Sequence, residues 1–406
     1  MERRVVITGL GIWSCLGTSL DEVRQSLYSG KSGIIFSQAR KDAGFRSALC
    51  ADVPKADLKK YLSRDLRKLM PEEAQYGYLA TIQAMEHAKL DQDFLDQNEV
   101  GVIYGNDSVA EATMTALDKF RQAGSTAACG SGAIFQSMNS TVTMNLATLL
   151  HLRGINLTAS AACASGSHSV GLSYLLIKDG LQDCIICGGA QEANMFSVAS
   201  FDGLMAFSTR EDEPTKASRP CDRDRDGLIP GGGAATLVLE SYEHAVKRGA
   251  PILAEIVGWG FSGNGDHIST PNVAGPTRSL ELCLKNGGIN PRDIGYINAH
   301  ATSTHAGDGR EALAIANIFG DYRVPVTSTK SQTGHEMWMA GASELIYSIL
   351  MMKNDFIGGS LNFENPDEDT ACINVIPETR EAHFDMFLSN SFGFGGTNSS
   401  LIIKNL

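Results

Sequence analysis

A cysteine at position 163 stands in a setting that favours nucleophilic chemistry. It follows a strand-like run at residues 155–158 and lies among small residues, ASAACASGSH at 159–168, where an amphipathic helix begins. The N-terminus of a helix carries partial positive charge and free N–H donors, which favour a thiolate over a thiol and so a reactive sulfur. Taken alone, Cys163 fits a small buried core residue equally well.

Two histidines downstream occupy comparable positions. His300 follows a predicted strand at 295–298, and His335 follows a predicted strand at 324–327 and the turn after it. Ligands in α/β folds bind where strands end at their carboxyl side. The sequence therefore predicts that both imidazoles share one site with Cys163.

A glycine-rich segment near the end of the sequence, SNSFGFGGTN at 389–398, is the fourth candidate element. Its glycines permit positive φ angles and expose backbone N–H groups that can hold an oxyanion. A β-turn between two strands accounts for the glycines equally well, but it explains Phe392 and Phe394 less well.

The elements that must position these residues alternate along the 406-residue sequence. Short β-branched runs bounded by Gly or Asn are separated by helical patterns, which predicts an α/β fold with buried sheets. The phrase VVITGLG at 5–11 is echoed by AEIVGWG at 254–260, which predicts two related halves divided at residue 250, 1–250 and 251–406. Gly9-Leu10-Gly11 lacks the third glycine of a dinucleotide fingerprint, because residue 14 is serine, and predicts a tight turn instead.

The composition narrows the class of function. Lys and Arg number 34 against 46 Asp and Glu, and the net charge of -12 argues against general nucleic-acid binding. No run approaches the roughly 18 apolar residues of a membrane span. The first residues resemble a signal peptide only loosely, because Gly9 and Gly11 interrupt the apolar stretch, so a cytoplasmic location and free thiols for the nine cysteines are expected. No cysteine pattern has the spacing of a complete metal site.

At these four loops the sequence resembles the β-ketoacyl-acyl-carrier-protein synthases, the ketosynthases of the I/II type in the thiolase-like superfamily. The resemblance runs from VVITG at 5–9 to the FGFGGTN segment at 392–398, and SGIIFSQ at 32–38 is most similar to the elongating type I branch. It implies a five-layered α-β-α-β-α core of two pseudo-duplicated halves, as a homodimer.

The resemblance also implies the site. The implied catalytic residues are Cys163 as the acylated nucleophile, His300 and His335 as the pair that holds the malonyl thioester, Lys330 and Glu344 as a supporting charged pair, and Phe394 on the gating loop, whose N–H forms the oxyanion hole with that of Cys163. Thr302, Thr304, Phe392 and Phe201 are implied to bind substrate.

The implied reaction is a decarboxylative condensation of an acyl chain with malonyl-acyl carrier protein, in fatty-acid, polyene or polyketide elongation, with no cofactor. Carrier proteins are acidic, so docking on this acidic chain needs a local basic patch. The resemblance favours Arg64, Arg67 and Lys68, although a solvated helix face accounts for these charges equally well.

The sequence departs from the family pattern at several positions. Ala301 replaces the glycine that usually follows the first catalytic histidine, residues 105–108 are less glycine-rich, and EMWM at 336–339 replaces small residues. Because the bulky Trp338 lies near the site, the family pattern does not determine the shape of the acyl pocket or the length of the acyl chain. These departures favour a specialised substrate, such as an unsaturated or polyene chain.

Four other interpretations remain open. One is a subunit of a heterodimeric, specialised polyene-type ketosynthase pair, although non-catalytic partners in such pairs typically lose the nucleophile. A thiolase is disfavoured because residues 389–398 contain no second cysteine. A type III synthase would pair cysteine and histidine with asparagine, and a cysteine hydrolase would give His335 and Lys330 no role.

Overall fold

The computed structural model describes residues 3–406, in which fifteen strands and fifteen α-helices are found. The strands are β1 (Val5–Trp13), β2 (Ile34–Phe36), β3 (Leu49–Ala51), β4 (Val100–Gly105), β5 (Asn156–Ala159), β6 (Cys184–Gln191), β7 (Gly233–Ser241), β8 (Ala254–Gly263), β9 (Tyr296–Asn298), β10 (Pro325–Thr327), β11 (Phe356–Ile357), β12 (Asn374–Val375), β13 (Arg380–Glu381), β14 (Met386–Gly393) and β15 (Thr397–Asn405).

Helices connect most of the strands, as the alternating pattern predicted. They are α1 (Leu20–Ser29), α2 (Gln38–Asp42), α3 (Arg64–Arg67), α4 (Glu72–Ala88), α5 (Gln92–Gln97), α6 (Glu111–Ala123), α7 (Ala133–Ser137), α8 (Thr141–Leu149), α9 (Ser165–Lys178), α10 (Ala199–Gly203), α11 (Tyr242–Arg248), α12 (Ala274–Gly287), α13 (His305–Phe319), α14 (Lys330–Thr333) and α15 (Ala340–Lys353). None of the helices in residues 3–406 combines the length and the apolar character needed to cross a bilayer.

Eleven strands form one sheet whose order repeats itself. The order is β12-β10-β9-β14-β15-β8-β1-β7-β6-β4-β5. The five long-range strands of each half are compared without the short strands β2, β3 and β11 to β13. Numbered by their order along the chain within each half, β5-β4-β6-β7-β1 is third, second, fourth, fifth, first. The strands β10-β9-β14-β15-β8 follow the same order. The parallel and antiparallel pairings also match strand by strand. The predicted two related halves are confirmed, and the boundary at residue 250 stays a prediction.

The two halves are joined by antiparallel pairing of β1 with β8, which sets Val5 opposite Ile256. Helices α9 and α15 pack against each other between the halves, on β4 and β6 and on β14 and β7. The outer face of the first half is covered by α4 and α8, and that of the second half by α12 and α13. The predicted α-β-α-β-α layering is confirmed, and it places α9 and α15, the helices that follow Cys163 and His335, at the centre.

The expected tight turn at Gly9 and Gly11 is wrong, because both residues lie inside β1. A side chain at either glycine would collide with the backbone of α4, at the carbonyl oxygens of Ala84 and Ala80. The glycines therefore allow a helix to approach the strand closely. Local sequence does not distinguish that tertiary contact from a turn, since both need a residue without Cβ.

Candidate active site

Cys163 lies in a single 3-10 turn, Ala162–Ala164, between β5 and α9. The residue before it, Ala162, has a φ of 47°, a left-handed conformation that a residue with a Cβ rarely adopts. The N–H of Ala161 donates to the hydroxyl of Ser165 (2.8 Å), and this hydroxyl donates to the carbonyl of Ala162 (2.6 Å). These bonds hold the sharp bend that presents the cysteine at the carboxyl end of its strand.

The expected thiolate at Cys163 is wrong for the unliganded site. The residue is only 5% exposed, and this burial raises the pKa of the thiol to about 11. The ammonium of Lys330 and the backbone N–H groups of Phe394 and Cys163 lower the pKa by less. The dipole at the N-terminus of α9 favours a thiolate, but removing a charged sulfur from water costs more than the dipole supplies. At neutral pH Cys163 is a thiol.

The ring of His335 has a defined tautomer. The backbone N–H of Met337 donates to Nδ1 of His335 (3.3 Å), so the ring proton lies on Nε2. This Nε2 is buried and has no hydrogen-bond partner in residues 3–406. His335 therefore offers an unused N–H donor beside Cys163.

His300 is positioned by Glu311, a residue that sequence reasoning missed. The carboxylate of Glu311 accepts hydrogen bonds from the N–H groups of His300 (2.9 Å) and Ala301 (2.7 Å) and from the amide of Asn390 (3.0 Å). Ala301 thus keeps the donor that a glycine would have supplied. The available signal was Glu311 one helical turn before the apolar Ile315, on the buried face of α13.

The two imidazoles are close and uncharged. Their ring centroids are 5.3 Å apart and the ring planes are nearly perpendicular. Burial, reinforced by the charge of Lys330, holds the pKa of both His300 and His335 well below the usual value, and the neighbouring His335 further lowers the pKa of His300. Both are neutral at physiological pH and can act as hydrogen-bond donors rather than as cations.

Lys330 and Glu344 form a buried ion pair behind the histidines. Each is about 1% exposed. Burial raises the pKa of Glu344 to about 7, against the effect of Lys330, which lowers it. The predicted pairing of these two residues is thus present in the structure. The positive charge of Lys330 lowers the pKa of Cys163 and of both histidines.

One cavity of about 310 Å³ brings most of the predicted site together. Of the predicted residues it is lined by Cys163, His300, His335, Thr302, Thr304, Phe201, Phe392 and Phe394. The hydroxyls of Thr302 and Thr304 lie 3.1 Å apart at its wall. The rings of Phe201 and Phe394 stack with centroids 5.9 Å apart, and Phe394 is partly exposed to solvent.

The three predicted docking residues lie on a different surface. Arg64, Arg67 and Lys68 line a groove of about 470 Å³, which Lys55 and Lys59 also line. Arg64 and Lys68 are exposed and Arg67 is half-buried. Five basic side chains therefore surround one groove, although the chain as a whole is acidic.

The cavity has the parts needed for acyl transfer and for holding a developing enolate. It combines a sulfur nucleophile, two neutral imidazoles and two backbone N–H groups at the sulfur, contributed by Phe394 and Cys163. Hydrogen-bond donors in a water-poor site stabilise oxyanions effectively, because they need no reorganisation when the charge develops.

Comparison with known proteins agrees with this geometry. The family model of the β-ketoacyl synthase N-terminal domain matches residues 2–245, and that of the C-terminal domain matches residues 253–364. The chain belongs to the β-ketoacyl synthase family. The ketosynthase resemblance predicted from the four loops is confirmed.

Relatives and solved structures cover the whole chain. A 3-oxoacyl-[acyl-carrier-protein] synthase 1 of Haemophilus influenzae is 40% identical over 99% of both chains. A crystal structure of a β-ketoacyl synthase from Burkholderia phymatum has a TM-score of 0.95 and 36% identity over 100% of both chains. A ketosynthase bound to a hexaketide, in complex with a type II polyketide synthase acyl-carrier protein, has a TM-score of 0.90 and 27% identity over 100% of both chains.

The raised pKa of Cys163 predicts how the thiol reacts with an alkylating reagent. The ionised fraction of a thiol rises about tenfold per pH unit below its pKa. We expect the rate of iodoacetamide labelling at Cys163 to rise about tenfold from pH 7 to pH 8 and about tenfold again from pH 8 to pH 9. Peptide mapping by mass spectrometry measures the rate, and Cys163→Ser confirms the labelled position. A rate that levels off below pH 8 would show a stabilised thiolate instead.

Proposed function

We propose that the protein catalyses decarboxylative condensation of an acyl chain, held on Cys163, with malonyl-acyl carrier protein to give β-ketoacyl-acyl carrier protein. The observation that carries the proposal is the single cavity in which Cys163 meets His300 and His335. A neutral imidazole pair suits an enolate oxygen, whereas a thiol that only hydrolyses a substrate needs one basic partner.

The proposed roles follow from the protonation states. The thiol of Cys163 attacks the acyl carrier thioester, the carbon–sulfur bond to the carrier breaks, and the proton of Cys163 passes to the departing carrier sulfur, which leaves the acyl group on Cys163. His335 then donates its Nε2–H, and His300 its ring N–H, to the malonyl thioester oxygen as carbon dioxide leaves. The resulting carbanion attacks the acyl group on the sulfur, where the N–H groups of Phe394 and Cys163 hold the oxyanion. Collapse of this oxyanion breaks the bond to Cys163, which takes up a proton from water and returns to the thiol, and β-ketoacyl-acyl carrier protein is released. Lys330 and Glu344 support the site, and Thr302, Thr304, Phe201 and Phe392 contact the substrate.

The site favours a catalytic subunit over a silent partner of a heterodimer, because the nucleophile is present with both histidines. A thiolase remains disfavoured, since the loop that carries Phe394 contains no second cysteine. An unsaturated or polyene substrate, the heterodimeric pair and a cytoplasmic location stay predictions from the sequence.

Single substitutions separate the two half-reactions. Cys163→Ala is expected to abolish condensation but to keep malonyl decarboxylation, because the histidines remain. His300→Ala and His335→Ala should each slow decarboxylation about 10²–10³-fold, as loss of one oxyanion donor does. Product analysis with purified malonyl-acyl carrier protein measures both steps. His383→Ala, at an exposed histidine paired with Asp355, is the matched control, and unchanged decarboxylation in both active-site histidine variants would refute the assigned roles.

We infer that the groove around Arg64, Arg67 and Lys68 docks the acidic carrier protein. Its support is the concentration of five basic residues at one groove. Exposed complementary charges steer association and act mainly on the rate of encounter, with strong salt dependence.

Reversing charge in this groove is expected to weaken carrier binding without changing the chemistry. Arg64→Glu together with Arg67→Glu should raise KM for malonyl-acyl carrier protein about tenfold or more and leave kcat nearly unchanged. The difference from wild type should shrink at high salt. Lys247→Glu together with Lys285→Glu, at exposed positions on α11 and α12, makes the same change in net charge away from the groove; equal effects of the two double variants would place docking elsewhere.

We further infer that two copies of the chain associate through the edge of the sheet at β5. This strand has a free edge and exposes Leu157, and unpaired edges of this kind are normally covered. The chain between β4 and β5 also exposes six large apolar side chains, Met114, Leu117, Phe120, Ile134, Phe135 and Met138. A symmetric partner of the same sequence would bury such a surface.

An added charge at β5 is expected to break this association. Leu157→Asp should convert a dimer to a monomer, measured by light scattering after size exclusion. Leu181→Asp changes a more exposed leucine outside this segment and should leave the mass unchanged. A wild-type protein that is monomeric alone and assembles only with a second related chain would favour the heterodimer.

A further inference from the structure

We propose that Trp338 limits the length of the acyl chain that Cys163 can carry. The inference rests on the proposed condensation and concerns the space beside the sulfur. The apolar side chains packed together with Cys163 are Val198, Phe207, Leu228, Met337 and Trp338, with Phe45, Ala162 and Phe201 at the margin.

The direction of the acyl chain follows from the two ends of the site. The hydroxyls of Thr302 and Thr304 and the polar residues near Asn264 line the outer part of the cavity. That part must receive the polar arm of the incoming malonyl carrier. The apolar chain attached to the sulfur therefore extends toward the apolar cluster, because hydrocarbon gains free energy only where it leaves water.

Trp338 fills that cluster. It is the largest side chain there and is 6% exposed, and its ring centroid is 6.3 Å from that of Phe201. Cys163, Phe201 and Leu228 line the open cavity, whereas Trp338, Phe207, Val198 and Met337 do not. The space behind the sulfur is thus closed by side chains, and the indole is the main filler.

The backbone that carries Trp338 has no room to retreat. A Cβ at Gly166 would come within 2.9 Å of the carbonyl oxygen of Trp338, and one at Gly189 within 2.5 Å. Both glycines therefore mark close contact of this turn with α9 and β6. A chain that needs more room cannot push the turn away.

Hydrogen bonds between Glu336 and α15 hold the same turn in place. It is buried and hydrogen-bonds the hydroxyls of Ser343 (2.5 Å) and Tyr347 (2.8 Å) on α15. By contrast, Nε1 of Trp338 is buried without a hydrogen-bond partner in residues 3–406. The turn is anchored by hydrogen bonds, while packing alone holds the indole, so smaller residues at 338 can open the space without breaking a polar contact.

The test is an acyl-chain profile of wild type, Trp338→Phe, Trp338→Leu and Trp338→Ala. Butyryl, hexanoyl, octanoyl, decanoyl and dodecanoyl carrier proteins are compared by kcat/KM for condensation. For the wild-type protein, kcat/KM should fall steeply as the acyl chain becomes longer than the short chains. The variants should extend the profile in the order of the volume removed, raising the ratio of long-chain to short-chain kcat/KM about tenfold or more.

Two controls keep the outcomes apart. Met339→Leu alters the same turn, but Met339 packs in the large core cluster around β1, β7 and α15 rather than beside Cys163, so its profile should match wild type. Malonyl decarboxylation, measured in the Cys163→Ala background, should be unchanged by Trp338→Leu. Variants that lose activity equally with every chain, or a wild type that elongates dodecanoyl best, would overturn the proposal. A wild type that condenses no chain would refute the proposed function instead.

Discussion

Burial away from water determines the protonation states of the three reactive groups in the cavity. Cys163, His300 and His335 are all buried, and burial is the largest influence on the pKa of each. Removing a charge from water is unfavourable for an acid and a base alike. The cysteine is therefore a thiol and both imidazoles are neutral donors, while Lys330 lies close by in a buried ion pair with Glu344.

The repeated strand order explains why distant segments meet in this dry cavity. β5 and β10 hold equivalent places in the two halves, and Cys163 and His335 follow them in the chain. Because α9 and α15 pack against each other at the centre, the turns that precede these helices are brought together. The site is thus a consequence of packing two similar halves against each other rather than of any single loop.

The sequence was sufficient for most of the long strands, the duplication and the three reactive residues of the cavity, because Cys163, His300 and His335 each follow a strongly patterned strand. It was not sufficient for features that depend on depth or on long-range contact. The pKa of Cys163 was expected below its usual value, but burial, which is not a local property of the sequence, raises it. Gly9 and Gly11 were predicted to form a turn, because the residues of α4 that they contact lie about 70 positions away. Glu311 was missed for the same reason, since it lies on α13 and one of its partners, Asn390, lies in β14, 79 positions further along the chain.

The division of the cavity between the halves has a consequence for how such a chain can evolve. The first half supplies Cys163 and the second supplies His300, His335 and Phe394, so neither repeat retains a complete set of reactive groups. Both repeats are therefore needed in the same protein. A mutation that weakens the pairing of β1 with β8 would lower activity before it disrupts the fold of either repeat.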